Sequence, residues 1–484
     1  MAPTHSRPPR SMATRLLPAL LAFAAACSDG EVREARRVVV ITCDTLRADR
    51  LGMHGHERDT SRELDRFAED AVVHESAWCT VPVTVPALSS MFTGWLPHEI
   101  GSIYTNRNQI PTEVETLAET VRAHGIDTAA FVSNGVLRRP PAEMGDVGLA
   151  QGFDLYDDEM NSRELQRPIV ERTAADCADA TLRWLEGRKA AGEDEFFLWV
   201  HFQDPHGPYT PPKEADVYRG ASDGKRLAAA DRSMGVRGAI PAYQFLPEES
   251  SKDKKDGDPA RYADLYDAEI RWFDQHAGRV LQWLRDQGWY DDALIIFTAD
   301  HGESLGERGW WFCHGESLHA EQVRVPLVLR APGGKRPEQG LAREPRGVSH
   351  LDVHPTVLDA FGIPAKPTRG VSLLAGRPPA ERPISAYLAN PGKERPAYAI
   401  GDGRWRLVVD ARDPLALHDL SIDPAEREDL SATRPGEIAR LQALHEAWFE
   451  ARSSSSASRE RPMDAGTRRA MSGLGYTDGD GDGH

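Results

Sequence analysis

Four apolar runs, each breaking off into polar or acidic residues, constrain this chain more than any other feature. "VVVIT" (38–42) leads into Cys43 and Asp44, and the same grammar recurs in "DTAAFVSN" (127–134), "EFFLWVHFQDPH" (195–206) and "DDALIIFTADHGE" (291–303). Runs this short, rich in β-branched residues and apolar on every position, predict strands buried on both faces of a parallel sheet. Between them lie helical patterns: "VETLAETVRAHG", and Tyr262 to Gln287, where Leu265, Ala268, Trp272, Phe273, His276, Val280 and Leu284 recur at helical spacing. Strands alternating with helices predict an α/β fold, a large, mostly parallel sheet sandwiched by helices. Ligands of such sheets bind beyond the carboxyl ends of the strands, where Asp44, His206, Asp300 and His301 all fall.

A chain of 484 residues is too long for one small core and predicts two or three structural units. We read residues 1–27 as a leader, 36–381 as the catalytic domain, 382–452 as a smaller C-terminal α+β subdomain and 453–484 as a flexible tail. From Pro212 to Pro259 the alternation lapses, and the charged, turn-rich "PEESSKDKKDGDPAR" marks a surface insertion near the site. The C-terminal unit is announced by "YAIGDGRWRLVVD" and "LALHDLSIDPAEREDL", then by the amphipathic "PGEIARLQALHEAWFEAR". The closing "DGDGDGH" resembles the start of a calcium loop without its later bidentate acid, and is read as a disordered acidic end.

The leader, "MATRLLPALLAFAAACSDG" from Met12, sets a basic residue before a short apolar run and small residues. That is the layout of a secretory signal, too short to span a membrane as a stable helix. Cys27 after three alanines resembles a lipoprotein cleavage site, the alternative being an ordinary cleavable signal in which Cys27 is incidental. The expectation is export to the periplasm or beyond, with membrane attachment only through a lipid on Cys27. Cys43, Cys79, Cys177 and Cys313 form no C-x-x-C pair, so they offer no zinc knuckle and no assignable disulfide. The net charge of -17, with no Lys/Arg block to offset it, excludes nucleic acid as the expected partner.

Chemistry concentrates in a few residues. Asp44, Asp300 and His301 close strands, and Thr84, in "VTVPALSSMFTG" (83–94), is a hydroxyl that can join them. Three oxygens and one nitrogen suit a hard or borderline divalent cation (Ca, Zn, Mn or Mg), and a hydroxyl among them is polarised toward alkoxide.

The motifs "CDTLRADRLGMHGH", "TVPALSSMFTGWLPHEIGS", "WVHFQDPHGPYTPP", "IIFTADHGESLGERG", "HGESLHAEQVRVPLVLRAPG", "VSHLDVHPTVLDAFGIP" and "LHDLSIDPAEREDL" are similar, in order and spacing, to those of the sulfatase family within the alkaline phosphatase superfamily, over roughly residues 36–450. The resemblance implies that Asp44, Asp300 and His301 bind the metal, that Thr84 stands where the family places its metal-bound nucleophile, and that His206 and His314 contact the transferred group or the leaving oxygen. Ser89, Ser90 and Thr93 are then capping and packing hydroxyls on the following helix. His201 is read equally as packed or catalytic, and Asp204 as a metal ligand or an orienter of His206.

Departures sharpen the expectation. Sulfatases that act through formylglycine carry Cys or Ser two residues before the proline and Arg two residues after it, whereas Thr84 and Leu88 stand here. Threonine cannot become formylglycine. The family's lysine near the second histidine is replaced by Cys313, and the stretch after "TAAFVSN" lacks the usual Lys and His. The expected function is a metal-dependent hydrolase of sulfate or phosphate esters with phosphodiesterase-like chemistry, acting on a small-molecule, glycan or lipid ester. The alternatives are a transferase of phosphoethanolamine type and an inert protein that holds a sulfated or phosphorylated glycan.

Overall fold

In the computed structural model the described residues are 35–101, 109–139, 147–163, 170–231, 235–250, 255–334, 342–389, 396–410 and 412–450. The leader with Cys27, and the acidic tail, lie outside them. The four expected strands form at the expected places, as β1 (Arg37–Cys43), β3 (Asp127–Val132), β5 (Phe196–Phe202) and β6 (Ala293–Ala299), and four shorter ones join them: β2 (Val72–His74), β4 (Leu155–Asp157), β7 (Leu327–Arg330) and β8 (Arg343–Glu344). They assemble in the order β8-β2-β7-β6-β1-β5-β3-β4. β1 sits centrally, parallel to both β5 and β6 and fully buried along its length. Of these eight, β7 alone runs against the rest, pairing antiparallel with β6 and with β2. A mixed sheet still presents the carboxyl ends of β1, β3, β5 and β6 along one edge, because those four are mutually parallel.

The long helix Pro259–Asp286 covers one stretch of this sheet; Asp258 caps it by accepting from the Ala260 N–H at 2.9 Å, and a proline opens it. Its start lies three residues before the periodic stretch read from the sequence, since proline at the first helical position lacks only an N–H that would be unpaired in any case. Helix Leu117–Ala123 is shorter than its apolar pattern, and the Thr116/Glu119 capping box fixes where it begins. Helix Thr84–Thr93 is buried at all ten positions, in keeping with the absence of any charged residue from it.

Residues after 382 build an antiparallel sheet, β9 (Ile384–Leu388), β10 (Ala397–Gly401), β11 (Trp405–Val409) and β12 (Ala416–Asp419), in sequence order. Helix Pro435–Glu450 packs on it, and Ile400, Leu407, Leu417 and Leu441 form a small core between them. Cys43, Cys79, Cys177 and Cys313 are all free and buried. Among the described residues no helix is long and apolar enough to cross a membrane.

Candidate active site

Two neighbouring strand ends bring the acids together. β1 delivers Asp44, and Thr45 after it turns through the left-handed region (φ 54°), aiming its N–H at Asp300 Oδ1 at 3.1 Å. β6 delivers Asp300, whose Oδ1 also accepts from the His301 N–H at 2.7 Å. One ligand atom each from Asp44, Asp300 and His301 lies within 4.8 Å of the others, and all three residues are fully buried. Thr84, first residue of its helix and equally buried, places Oγ1 3.4 Å from His301 Nε2. A helix N-terminus favours negative charge, and so favours an alkoxide there.

The donors fit a divalent cation. His301 Nδ1 faces the Gly302 carbonyl at 2.9 Å and therefore carries the proton, leaving Nε2 as a lone pair, the tautomer that ligating histidines adopt. Asp44 Oδ1 and Asp300 Oδ2 are buried without a hydrogen-bond partner. Among the described residues no Lys or Arg side chain pairs with either carboxylate. Burial, and then the neighbouring Asp44, push Asp300 well above the usual carboxylate range. Asp44 goes the other way: burial would raise it, but the histidines 206, 201 and 301 outweigh that and hold it low. Two carboxylates in a dry pocket with one depressed and one raised is the arrangement a cation relieves. Burial, with His314 adding to it, lowers His301 to about 3, so its imidazole is neutral at physiological pH.

The other expected residues gather around this cluster. His206 Nδ1 donates to the Gly207 carbonyl at 2.8 Å, and its ring lies 5.2 Å from that of His314. The His314 ring in turn is 4.6 Å from that of His301. Ser89 and Thr93 bond back to the carbonyls of Val85 and Ser89, each at 2.7 Å, and so serve their own helix. Ser90 Oγ is buried without a partner. His201 turns Nδ1 to Thr42 Oγ1 at 2.8 Å and leaves Nε2 3.8 Å from Asp44 Oδ2, beside the acids yet outside the set of three. Asp204 takes neither expected role. Its carboxyl is paired with buried Glu269, while His206 is oriented by backbone.

Three further residues belong here that the sequence reading did not single out. Asn134, at the end of β3, donates from Nδ2 to Asp44 Oδ2 and fixes its own amide by accepting from the Val136 N–H at 2.9 Å. The strand-end rule that found Asp44 applies to it equally. Glu303 accepts from Tyr209 Oη at 2.5 Å and meets His314 Nδ1 at 3.1 Å. Burial lifts Glu303 to about 7. Tyr209 carried no signal in sequence, since only folding brings it across from β5 to the loop after β6.

Clefts of about 360, 670 and 680 Å³ run along the seam between the main sheet and the C-terminal unit, and Asp44, Thr84, Asp300 and His301 line none of them. Charge and orphaned polar atoms point to the strand ends, where chemistry is concentrated.

Comparison with known proteins identifies the family. A family model described as Sulfatase matches residues 36–363. The chain is 27% identical to a choline-sulfatase of Rhizobium meliloti over 413 residues, 78% of each chain. It is 22% identical to an N-acetylglucosamine-6-O-sulfatase of Bacteroides thetaiotaomicron, over 95% of this chain and 94% of that one. The structure superposes on a phosphonate monoester hydrolase of Silicibacter pomeroyi with a TM-score of 0.65 at 20% identity, covering 88% of this chain and 100% of that one.

Proposed function

The chain belongs to the sulfatase family, and on that premise we propose that it is a metal-dependent hydrolase in which Thr84 is the nucleophile and a singly charged phosphoester the preferred substrate. The observation that carries this reading is the Thr84 hydroxyl lying 3.4 Å from His301 Nε2, within the cluster of Asp44 and Asp300. Those three residues would hold the cation, and a divalent ion bound there supplies Lewis acidity toward ester oxygens and favours the alkoxide form of a neighbouring hydroxyl.

The chain's own groups do the rest. Thr84 Oγ1 gives up its proton to the neutral Nε2 of His314 or His206 and attacks phosphorus in line with the leaving oxygen; the P–O bond to the alcohol breaks, and the same imidazole passes that proton to the departing oxygen. Glu303 holds the His314 ring by Nδ1, and the Gly207 carbonyl holds that of His206, so each histidine turns Nε2 away from its anchor. Water then cleaves the phosphothreonine at phosphorus.

Threonine decides the preference for phosphorus. A formylglycine hydrate has a second hydroxyl that lets a sulfated intermediate collapse without attack at sulfur, and Thr84 has none. Leu88, fully buried, and Cys313, 1% exposed with its thiol pushed well up by burial, add no positive charge. A monoanionic diester or phosphonate monoester therefore needs less neutralisation than a dianionic monoester. The phosphonate monoester hydrolase likeness supports this choice, and the N-acetylglucosamine-6-O-sulfatase likeness supports a glycan as one class of alcohol.

The test is a panel of aryl sulfate, phosphate monoester, phosphodiester and phosphonate monoester with added Zn, Mn, Mg or Ca. Phosphodiester or phosphonate turnover should exceed aryl sulfate turnover; the opposite ranking removes Thr84 as nucleophile. We further propose export with Cys27 as the lipid-bearing residue. Intact mass and membrane fractionation should give a chain that begins at Cys27 and sediments with membranes.

A further inference from the structure

The insertion between Pro212 and Pro259 does more than cover the surface, because it lays Tyr243 over His206 and Gln244 over Gly207, the next residue. Tyr243 is 5% exposed, its ring 6.2 Å from that of His206 at an interplanar angle of 30°, and its hydroxyl donates to the Phe312 carbonyl at 3.1 Å. The same hydroxyl hydrogen-bonds Glu303, the residue that holds His314. Tyr243 thus ties the insertion to both histidines.

Next to it Gln244 is fully buried, and neither Nε2 nor Oε1 of its carboxamide has a hydrogen-bond partner. The amide lies flat on Gly207: a Cβ built there would stand 1.9 Å from Oε1, 2.0 Å from Nε2 and 2.1 Å from Cδ. Glycine follows His206 because the carboxamide occupies the space a side chain would need. Gln244's backbone is accounted for separately, its N–H donating to the Pro241 carbonyl at 3.0 Å.

A buried primary amide has two donors and two acceptor lone pairs, and leaving all of them unmet is costly. Apolar residues of the same length would fill this space at no such cost. A buried polar group with unmet hydrogen bonds beside reactive histidines marks a place that a polar ligand completes.

We infer that Gln244 is a substrate-recognition residue, its Nε2 donating to a non-bridging oxygen of the bound phosphoester beside His206 and its Oε1 accepting from a hydroxyl on the alcohol portion. The inference rests on the proposed ester hydrolysis and adds to it the group that reads the substrate's charge. A carboxamide donates without carrying charge, so it reads an oxygen of a monoanion without the extra hold on a dianion that a guanidinium would give.

The decisive variant is Gln244→Met, which keeps length and volume and removes both polar atoms. Its melting temperature should equal or exceed that of the wild type, since an unmet amide is lost. On bis(p-nitrophenyl) phosphate its kcat/KM should fall about tenfold or more, through KM more than kcat, and its Kd for inorganic phosphate by calorimetry should rise at least fivefold. Gln244→Glu, equal in shape but anionic, should fall further on both readings. Unchanged kcat/KM and unchanged phosphate affinity in a folded Gln244→Met protein would overturn the assignment. The phosphate arm separates the two readings: if the wild type cleaves no ester in the panel, the hydrolase proposal fails, whereas weaker phosphate binding by Gln244→Met still supports recognition. A wild type that binds no phosphate refutes the recognition role.

Discussion

At the edge of the main sheet Asp44, Asp300 and His301 bring three ligand atoms within 4.8 Å; at the seam with the C-terminal unit His319, His418 and Glu426 do the same. Both sets are fully buried and built from the same residue types. At the seam Glu426 meets Arg406 at 2.5 Å through Oε1, and through Oε2 it meets His319 Nδ1 at 3.1 Å and the Ala320 N–H at 3.0 Å. Arg406 spends its other nitrogen on the Leu318 carbonyl at 2.8 Å. At the sheet edge each acid keeps one oxygen without a partner, and among the described residues no guanidinium answers either. Burial would raise Glu426, yet Arg406 and His319 outweigh it and hold that carboxyl far below its usual range; Asp300 is driven far above. Ligating residues in reach of one another do not by themselves make a site. What makes one is charge the protein leaves unbalanced, and at the seam Arg406 already stands where a cation would.

That contrast can be broken in order of expected effect. Thr84→Ala should lower kcat/KM on the best ester by about 10⁴-fold or more, the loss typical of removing a nucleophile, with the fold intact by circular dichroism. Retention of full activity would show that the strand-end cluster is no more catalytic than the seam.

Glu426→Gln strands the Arg406 charge in a dry interior and should cost about 3–5 kcal/mol in denaturant unfolding. Metal content by mass spectrometry should stay at that of the wild type. A fall in metal content would make the seam a metal site and erase the contrast.

pH reads the same opposition with opposite signs. A carboxyl depressed in the folded state contributes stability above its unfolded value, lost as pH falls toward its folded one, so the gap between wild type and Glu426→Gln should hold from pH 7 to about 5 and narrow progressively below that. A carboxyl raised in the folded state contributes stability at low pH that is lost as pH rises through its folded value. Metal-free wild type should therefore be less stable than metal-free Asp300→Asn at pH 7, and the gap should close on acidification. Asparagine keeps Oδ1 for the N–H groups of Thr45 and His301, so the comparison isolates charge. Added metal should raise the melting temperature of the wild type and leave that of Asp300→Asn unmoved.

Ser89→Ala sharpens the contrast from the quiet side. Its hydroxyl bonds back to Val85 within the helix, so stability should change by less than about 1 kcal/mol and kcat/KM by less than twofold. A large loss of activity would move the reactive hydroxyl off Thr84.

Sequence alone determined the sheet and its reactive edge. Runs of β-branched residues ending in Asp44, Asp300 and His301 must be buried strands that present those side chains at their carboxyl ends, since alternation of strand and helix leaves no other economical arrangement. Asn134 obeys the same rule and was legible by it. The antiparallel β7 was not, because strand direction depends on which neighbours a short apolar run finds after collapse. The tertiary structure alone turned Asp204 to Glu269 rather than to His206, and set Tyr209 and Glu303 behind His314. It also set Gln244 on Gly207, across an insertion whose charged composition announced only a surface loop. His319, His418 and Glu426 illustrate the limit most clearly: nothing in their order along the chain says that Arg406 will reach Glu426 first. Local patterns fix which residues are buried and which way a strand ends, whereas the partner of a buried charge is chosen by packing between distant segments, and that choice separates a site from a structural ion pair.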